Sequence, residues 1–146
     1  MQEILLLSGP NLDLLGTRSP EIYGSATLDE YVAAATERAT RAGLGLRHVQ
    51  SNFEGDLIEA VHAALSASAA IIINAGALTH SSWALSDALA IFSGPKIEVH
   101  LSNPAAREPF RHLSTLAAVV DGSLAGLGAL GYLLAVDAAV ALLEQR

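Results

Sequence analysis

The 146-residue chain contains no cysteine, which excludes disulfide bonds, thiol catalysis and thiolate metal sites. Its only lysine is Lys96, so a lysine Schiff base has a single candidate. Basic residues number 8 against 15 acidic ones, and the net charge of -7 argues against nucleic acid or an anionic membrane as a partner. A small anionic substrate remains compatible with these counts, because a few local arginines can outweigh the overall negative field.

The chain also lacks the unbroken apolar run of about 20 residues that a membrane span needs. The longest candidate, 116–143, is interrupted by Asp121, Asp137 and small residues. No basic start or cleavage site of a signal peptide precedes the first apolar run, so we expect a cytoplasmic protein. A mean hydropathy of +0.40 indicates buried subunit interfaces, and we expect a homo-oligomer larger than a dimer.

Strand and helix patterns alternate five times along a chain whose length favours one domain, residues 1–146. This alternation predicts a flavodoxin-like, doubly wound, five-stranded parallel sheet in a three-layer α/β/α arrangement. The predicted strands are 4–8, 45–50, 69–73, 96–101 and 117–121. One predicted helix begins at residue 27, and three others span 54–68, 81–93 and 124–144. Thr27 with Glu30 and Ser51 with Glu54 are predicted capping boxes. Five apolar residues of helix 54–68 are predicted to face inward: Leu57, Ile58, Val61, Ala64 and Leu65.

Polar residues follow several predicted strands where those strands end. In a parallel sheet the carboxyl ends of the strands meet at one edge, so we expect these side chains to converge into a site. In chain order they are Asn11, Asn74, His80, Glu98, His100, Ser102, Asn103, Arg107 and Arg111.

The loop after the first strand, residues 8–24, holds an amide, a guanidinium and a phenol within 13 residues: Asn11, Arg18 and Tyr23. An arginine beside a tyrosine lowers the pKa of the phenol by favouring phenolate. Such a phenolate could act as a general base in a protein without cysteine. The alternative interpretation is a surface loop rich in turn-forming residues.

Glu98 and His100 are two residues apart on one predicted strand, so their side chains share a face. A carboxylate beside an imidazole fixes its tautomer and favours the protonated ring, which suits a general acid. The alternative is a solvent-facing pair on an edge strand. His48 and His62 lie away from this edge and are interpreted as structural or surface groups. A metal site from His80, Glu98 and His100 has no compact ligand motif behind it, so no metal is expected.

Three other functions that the fold class allows are disfavoured by particular residues. The segment Gly126–Gly131 matches GxGxxG, but no acidic residue follows about 20 positions later, so helix packing is favoured over dinucleotide binding. A phosphoacceptor receiver domain needs an aspartate at the end of the third strand, where this chain has Asn74. A flavin-phosphate loop after the first strand would be rich in Ser, Thr and Gly, unlike GPNLDLLG.

Taken together, the motifs resemble those of the type II 3-dehydroquinate dehydratases. The resemblance runs in order along nearly the whole chain. The matching blocks are GPNLDLLGTR with PEIYG, QSN-EG across residues 50–55, IIINAGALTHSS, DAL, IEVHLSN, REPFRH and a glycine run ending in GY. The family removes water from 3-dehydroquinate by anti elimination in the shikimate pathway, which leads to aromatic amino acids, and it uses neither metal nor cofactor.

The resemblance implies a role for each matching residue. Tyr23, assisted by Arg18, would take the proton next to the ketone, and Asn11 would stabilise the enolate through a water molecule. His100, positioned by Glu98, would protonate the departing hydroxyl. The implied substrate-binding residues are Asn74, His80, Leu101, Ser102 and Arg111, together with Asp87 reaching into a neighbouring subunit's site. A homododecamer, built as a tetramer of trimers, is the implied assembly.

The chain departs from the family pattern at several positions, none of which carries an implied chemical role. They are Asp13, Ala75, Leu78, Ser86, Leu113 and Leu130. The alternative to an enzyme is a non-catalytic, flavodoxin-like ligand-binding paralogue that keeps the fold. The type I route through a lysine Schiff base is disfavoured, because Lys96 begins a strand and lies away from the predicted site.

Overall fold

Five parallel strands form one sheet in the order β2-β1-β3-β4-β5. The strands are β1 Glu3–Ser8, β2 Gly45–Gln50, β3 Ala70–Asn74, β4 Lys96–His100 and β5 Gly122–Ala125. The computed structural model describes residues 1–17 and 19–146, with the backbone alone at residue 23. Because the chain winds outward from β1 in both directions, a crevice forms at the carboxyl ends of β1 and β3, where ligands bind in such sheets.

Helices cover both faces of the sheet, which confirms the predicted three-layer arrangement. The helices are α1 Pro20–Tyr23, α2 Leu28–Arg41, α3 Glu54–Ala67, α4 Trp83–Ile91 and α5 Ala129–Glu144. Short 3₁₀ helices span Leu12–Leu14, Gly76–His80, Pro104–Ala106 and Pro109–His112. The pair α2 and α5 packs on one face and the pair α3 and α4 on the other. Within the described residues, no helix combines the length and apolar character required to cross a bilayer.

The central strands are apolar on both faces. In β1, Ile4 and Leu6 join the core under α2 and α5, whereas Leu5 and Leu7 join the core under α3 and α4. All four are fully buried. A strand covered by helices on both sides has no solvent-facing residues, so its sequence reads as a continuous apolar run.

The first predicted capping box is confirmed and the second is wrong. The Thr27 hydroxyl accepts from the Glu30 backbone, and the Glu30 carboxylate accepts from the Thr27 backbone. Helix α3 instead begins after Phe53, without a side-chain cap. The Ser51 hydroxyl accepts from the Phe53 N–H and donates to the Asp56 carboxylate. The Glu54 carboxylate accepts from the Ser82 hydroxyl. A tertiary contact with α4 therefore outcompetes the local cap.

The fifth strand lies later than the prediction of 117–121. The Leu116 carbonyl accepts from the N–H groups of Val119 and Val120, so this segment forms a turn. Its apolar side chains pack into the core under α3 and α4. The strand pairing with β4 occupies Gly122–Ala125 instead. The last helix accordingly begins at Ala129 rather than 124.

The glycines of the GxGxxG segment serve the turn and the helix packing. Gly126 and Gly128 have φ of 83° and 56°, a left-handed conformation that favours glycine. A Cβ at Gly131 would lie 3.3 Å from the Val99 side chain, so this glycine lets α5 pack closely on β4. The predicted packing role is confirmed for Gly131.

Two other elements and one side chain differ from prediction. Helix α4 is shorter than 81–93, because residues 76–80 form a 3₁₀ helix and Ser82 caps the helix start by accepting from Leu85. Strand β4 ends at His100 rather than 101. Leu65 was predicted to face inward, but it is 46% exposed, because it lies on the outer side of α3.

Replacing Gly9 with alanine is expected to destabilise the fold and disturb the crevice together. An added Cβ would lie 2.2 Å from the Ala75 carbonyl oxygen, in the turn that begins the 3₁₀ helix Gly76–His80. Neither backbone can move freely, because the Gly9 N–H donates to the Asn74 carbonyl at 2.8 Å. Overpacking of this kind costs about 1–3 kcal/mol. Thermal unfolding of the variant beside the native protein would measure it.

Gly55→Ala is the matched control. Gly55 lies in the first turn of α3, where an added Cβ has no atom within 4 Å, and its exposed position favours alanine by up to about 1 kcal/mol. A melting temperature of Gly9→Ala equal to that of Gly55→Ala would contradict the close-approach argument.

Candidate active site

A solvent-open cleft of about 560 Å³ lies at the carboxyl ends of β1, β3 and β4. Its position agrees with the crevice expected for this strand order. The lining residues are Pro10, Asn11, Leu12, Asn74, Gly76, Ala77, His80, His100, Leu101, Ser102, Pro104, Arg107 and Arg111. Eight of the residues singled out from sequence therefore meet in one cleft: Asn11, Asn74, His80, His100, Leu101, Ser102, Arg107 and Arg111.

Glu98 and His100 form a buried couple at the back of this cleft. The Glu98 carboxylate contacts the His100 Nε2 at 2.6 Å, and its other oxygen accepts from the Ser114 hydroxyl at 2.7 Å. The two side chains are only 4% and 11% exposed, which excludes the solvent-facing edge pair. Burial acts to raise the pKa of the Glu98 carboxyl, but the hydrogen bonds from His100 and Ser114 outweigh it and the net shift is downward. An ionised Glu98 thus holds Nε2, and Nδ1 is the ring nitrogen left for a ligand.

Asn11 stands in an unusual backbone conformation at the cleft wall. Its φ is 69°, in the left-handed region that asparagine tolerates better than most residues. The Asn11 N–H donates to the Asn52 side chain at 2.9 Å, which anchors the turn to the end of β2. A residue at a cleft that is held in an unfavourable backbone conformation by a contact with another segment is typical of a functional position.

Asn74 ends β3 and presents an amide whose orientation is determined by its partners. The Gly76 N–H donates to Asn74 Oδ1 at 3.2 Å, so Nδ2 must be the atom that donates to the Tyr132 hydroxyl at 3.1 Å. Asn74 is 4% exposed and Tyr132 is 1% exposed. Burial raises the pKa of Tyr132 to about 12, against opposing hydrogen bonds from Asn74 and Ser8, so the phenol stays neutral.

The segment after β4 supplies the cationic side of the cleft. The Arg111 Nε donates to Glu108 at 2.6 Å, and its guanidinium lies 4.7 Å from the centre of the Phe110 ring. Arg107 donates to the Ser102 hydroxyl at 3.3 Å. Two guanidinium groups in a cleft of a net negative protein provide a local site for a carboxylate.

His80 closes the cleft from the 3₁₀ helix Gly76–His80. Its Nδ1 lies 2.6 Å from the Leu113 carbonyl oxygen and therefore carries a proton that it donates. The ring also packs edge-on against Phe110, with 6.1 Å between the ring centres. Nε2 is consequently the nitrogen available to a ligand.

Three sequence-predicted residues that the structure describes are not in the cleft lining: Glu98, Asp87 and Asn103. Glu98 lies behind His100, and Asp87 lies on the exposed side of α4, where it does not reach this chain's own cleft. Arg18 and the side chain of Tyr23 lie outside the described residues. The extra carboxylate of Asp13 lines a second surface cavity beside His48 instead of the cleft. Across residues 1–17 and 19–146, no group of three or more histidine or acidic side chains is placed to hold a metal ion.

Sequence reasoning missed several groups that support the site. Ser114 holds Glu98 and Tyr132 holds Asn74. Neither received a role from the sequence, although Tyr132 ends the matched block that closes in GY. Arg107 was recognised as a polar residue after β4 but received no role, although its spacing of four from Arg111 was a usable signal. Asn52 lay within a matched block and also received no role.

Comparison with known proteins identifies the family. The family described as Dehydroquinase class II matches residues 2–140. A 3-dehydroquinate dehydratase of Roseiflexus castenholzii is 56% identical over 135 residues, covering 92% of this chain and 86% of the relative, and one of Vibrio parahaemolyticus is 54% identical over 143 residues, covering 98% and 96%. The crystal structure of a type II dehydroquinase from Propionibacterium acnes has a TM-score of 0.92 at 41% identity and covers 97% of both chains. The chain therefore belongs to the class II dehydroquinase family.

Proposed function

We propose that this protein removes water from 3-dehydroquinate to give 3-dehydroshikimate, as a single catalytic domain in the shikimate pathway. The observation that carries the proposal is the buried Glu98–His100 couple, which opens onto a cleft lined by Asn11, Asn74 and Arg111. Such a cleft offers a general acid, amide groups for a developing oxyanion and a cation for a carboxylate. Family membership supports the same reaction.

The first step removes the proton next to the substrate's ketone. Tyr23, as a phenolate assisted by Arg18, takes this proton, and the electron pair moves into an enolate. Asn11 lies on the cleft wall, where its amide can hold a water molecule against the enolate oxygen. Preorganised donors of this kind stabilise charge as it develops in the transition state.

The second step expels the hydroxyl. His100 gives its proton to the departing oxygen as the enolate collapses to the enone, so one water leaves for each substrate. Glu98 stabilises the positive ring before transfer through the 2.6 Å contact. The proton gained by Tyr23 then returns through solvent to the imidazole, which restores both groups.

The remaining cleft residues hold the substrate. Arg111 and the backbone amides of Leu101 and Ser102 bind the carboxylate, because cations and N–H donors suit an anionic group. Asn74 and His80 bind hydroxyls, and His80 does so through Nε2, since Nδ1 is engaged by Leu113.

The proposed assembly is a cytoplasmic homododecamer, a tetramer of trimers, in which Asp87 reaches a neighbouring subunit's cleft. Large apolar side chains at the surface support association, since solvated monomers seldom expose many of them. They include Phe53, Trp83, Ile91, Phe110 and Leu113, each more than half exposed. Sedimentation that shows only monomer at micromolar concentration would contradict this assembly.

The test of the function is direct. Added 3-dehydroquinate should be converted to a conjugated enone, which is followed by ultraviolet absorbance. Activity should survive EDTA, and it should survive borohydride in the presence of substrate, because the proposed steps use neither metal nor Schiff base. An absence of turnover at every pH would overturn the proposal.

A further inference from the structure

Glu108 contacts both arginines of the cleft, and the proposed mechanism gives it no role. One oxygen of its carboxylate lies 2.6 Å from Arg111 Nε and 3.9 Å from Arg107 Nε. The Glu108 side chain is 55% exposed, whereas each arginine side chain is only 17% exposed. The carboxylate therefore lies on the solvent side of two guanidinium groups that line the cleft. A negative charge close to both also offsets their mutual repulsion.

The backbone of this segment fixes the position of Arg111 independently of the Glu108 side chain. Pro109 begins the 3₁₀ helix Pro109–His112, and the residue before a proline is restricted to extended conformations. Glu108 has such a conformation, with φ of -60° and ψ of 147°. Its carbonyl accepts from the Arg111 N–H at 2.9 Å. A substitution at this position keeps these constraints, so it acts on the Arg111 guanidinium rather than on the turn.

Two contacts determine the orientation of the Arg111 guanidinium. Glu108 accepts the Nε hydrogen, which lies in the plane of the group. The guanidinium carbon lies over the Phe110 ring, 4.7 Å from its centre, and this contact restrains the group from a second direction. In the part of the chain that the structure describes, Glu108 is the only hydrogen-bond acceptor of the Arg111 side chain. Nη1 and Nη2 therefore remain for a ligand, and this edge can donate two parallel hydrogen bonds to a carboxylate.

The contact between Glu108 and Arg111 is an exposed ion pair at neutral pH. The pKa of the Glu108 carboxyl lies below its ordinary value, first because its own backbone N–H donates to it and then because Arg111 does. Exposed ion pairs contribute little to stability, so the fold should survive the loss of this one. The loss instead frees a long side chain, which a ligand must then order when it binds.

We infer that Glu108 is a positioning residue, which holds Arg111 with its Nη1 and Nη2 atoms available to the carboxylate of the substrate. The inference rests on the proposed function, because that function assigns the substrate carboxylate to Arg111. No bond to the carboxylate oxygens changes in the reaction, so Arg111 holds this group both before and during it. Poorer positioning of Arg111 therefore raises KM more than it lowers kcat.

Kinetics of Glu108→Ala and Glu108→Gln test the inference, because both variants lack the charge and only glutamine keeps an acceptor for Nε. KM for 3-dehydroquinate should be about three- to tenfold higher in Glu108→Ala than in Glu108→Gln, which corresponds to ordering one long side chain. The two kcat values should agree within about twofold. A KM in Glu108→Ala equal to or below that of Glu108→Gln, or a loss confined to kcat, would overturn the inference.

Glu37→Ala is the matched control. Glu37 pairs with Arg41 on the exposed side of α2, and neither residue lines the cleft. The control therefore removes a similar exposed pair and should keep the native KM. A rise in KM as large as that of Glu108→Ala would overturn the inference, because the effect would then not depend on Arg111.

Crystal structures of the two variants test the positioning without turnover. In Glu108→Gln, Arg111 Nε should stay within hydrogen-bond distance of the new side chain. In Glu108→Ala, the guanidinium should leave its position over Phe110 or occupy several positions. A native Arg111 position in Glu108→Ala would overturn the inference. A displaced Arg111 in a protein that does not turn over 3-dehydroquinate would instead overturn the proposed function and support the positioning role of Glu108.

Discussion

Replacing Tyr23 with phenylalanine is expected to lower kcat by at least about 10³-fold, within the range that a general base contributes. The substitution deletes the oxygen that takes the substrate proton and keeps the ring. Substrate affinity should therefore change little, and calorimetric titration of 3-dehydroquinate into the inactive variant would measure it. Turnover close to the native rate would refute the role of Tyr23 as the base.

Arg18→Gln separates the activation of the base from the base itself. Removing a cation beside a phenol raises the phenol's pKa, so the phenolate forms only at higher pH. The rise of kcat/KM with pH should then move to more alkaline values, while Tyr23→Phe shows no such limb at all. An Arg18→Gln enzyme that loses only substrate affinity, with an unmoved pH profile, would assign Arg18 to binding.

Replacing His100 with alanine is the second large effect, with an expected loss of about 10²–10⁴-fold in kcat. The variant keeps the base but has no proton donor for the departing hydroxyl. His62→Ala, on an exposed helix face, serves as the matched histidine control. If kcat of His100→Ala stays within tenfold of the native value, the hydroxyl leaves without a proton from His100. This result would remove His100 from the mechanism.

Glu98→Gln tests whether the negative charge of Glu98 contributes to proton donation by His100. The glutamine can still accept from Ser114 but places no negative charge against Nε2, so kcat should fall by roughly 10–100-fold and less than in His100→Ala. The folded-state pKa of Glu98 lies below its ordinary value. Its contribution to stability is therefore present above the ordinary carboxyl pKa and is lost as pH falls through the folded value. The free energy of unfolding, measured with urea at several pH values, should therefore fall less steeply in acid for Glu98→Gln than for the native protein.

Much of the fold was predictable because its signals are local. The buried run Ile71–Ile73, the cap at Thr27 and the alternation of strands with helices each depend on neighbours a few residues away. The fifth strand was misplaced for the same reason. Residues 117–121 are more apolar than Gly122–Ala125, but they form a turn on the Leu116 carbonyl and pack into the core under α3 and α4, and the next four residues pair with β4. The cap predicted at Ser51 failed because Ser82, 28 residues after Glu54, takes the glutamate's carboxylate.

Most of the candidate site was predictable from one rule, that parallel strands end at a common edge. This rule predicts that Asn11, Asn74, His100 and Arg111 lie together, and all four line the cleft. The sequence by itself thus determined the doubly wound fold, the cleft's position and the chemical types that meet there. It did so because helix and strand periods and strand-end loops are properties of short segments.

Only the tertiary structure decided how those groups are held. Ser114 on Glu98 and Tyr132 behind Asn74 reach their partners across 16 and 58 residues of chain. His48, interpreted from the sequence as a structural or surface group, lies with its Nε2 2.9 Å from the buried hydroxyl of Ser8, 40 residues earlier. Hydrogen bonds between distant segments depend on ångström-scale placement by the packed core. That placement is a property of the whole fold, so no local pattern in the sequence reports it.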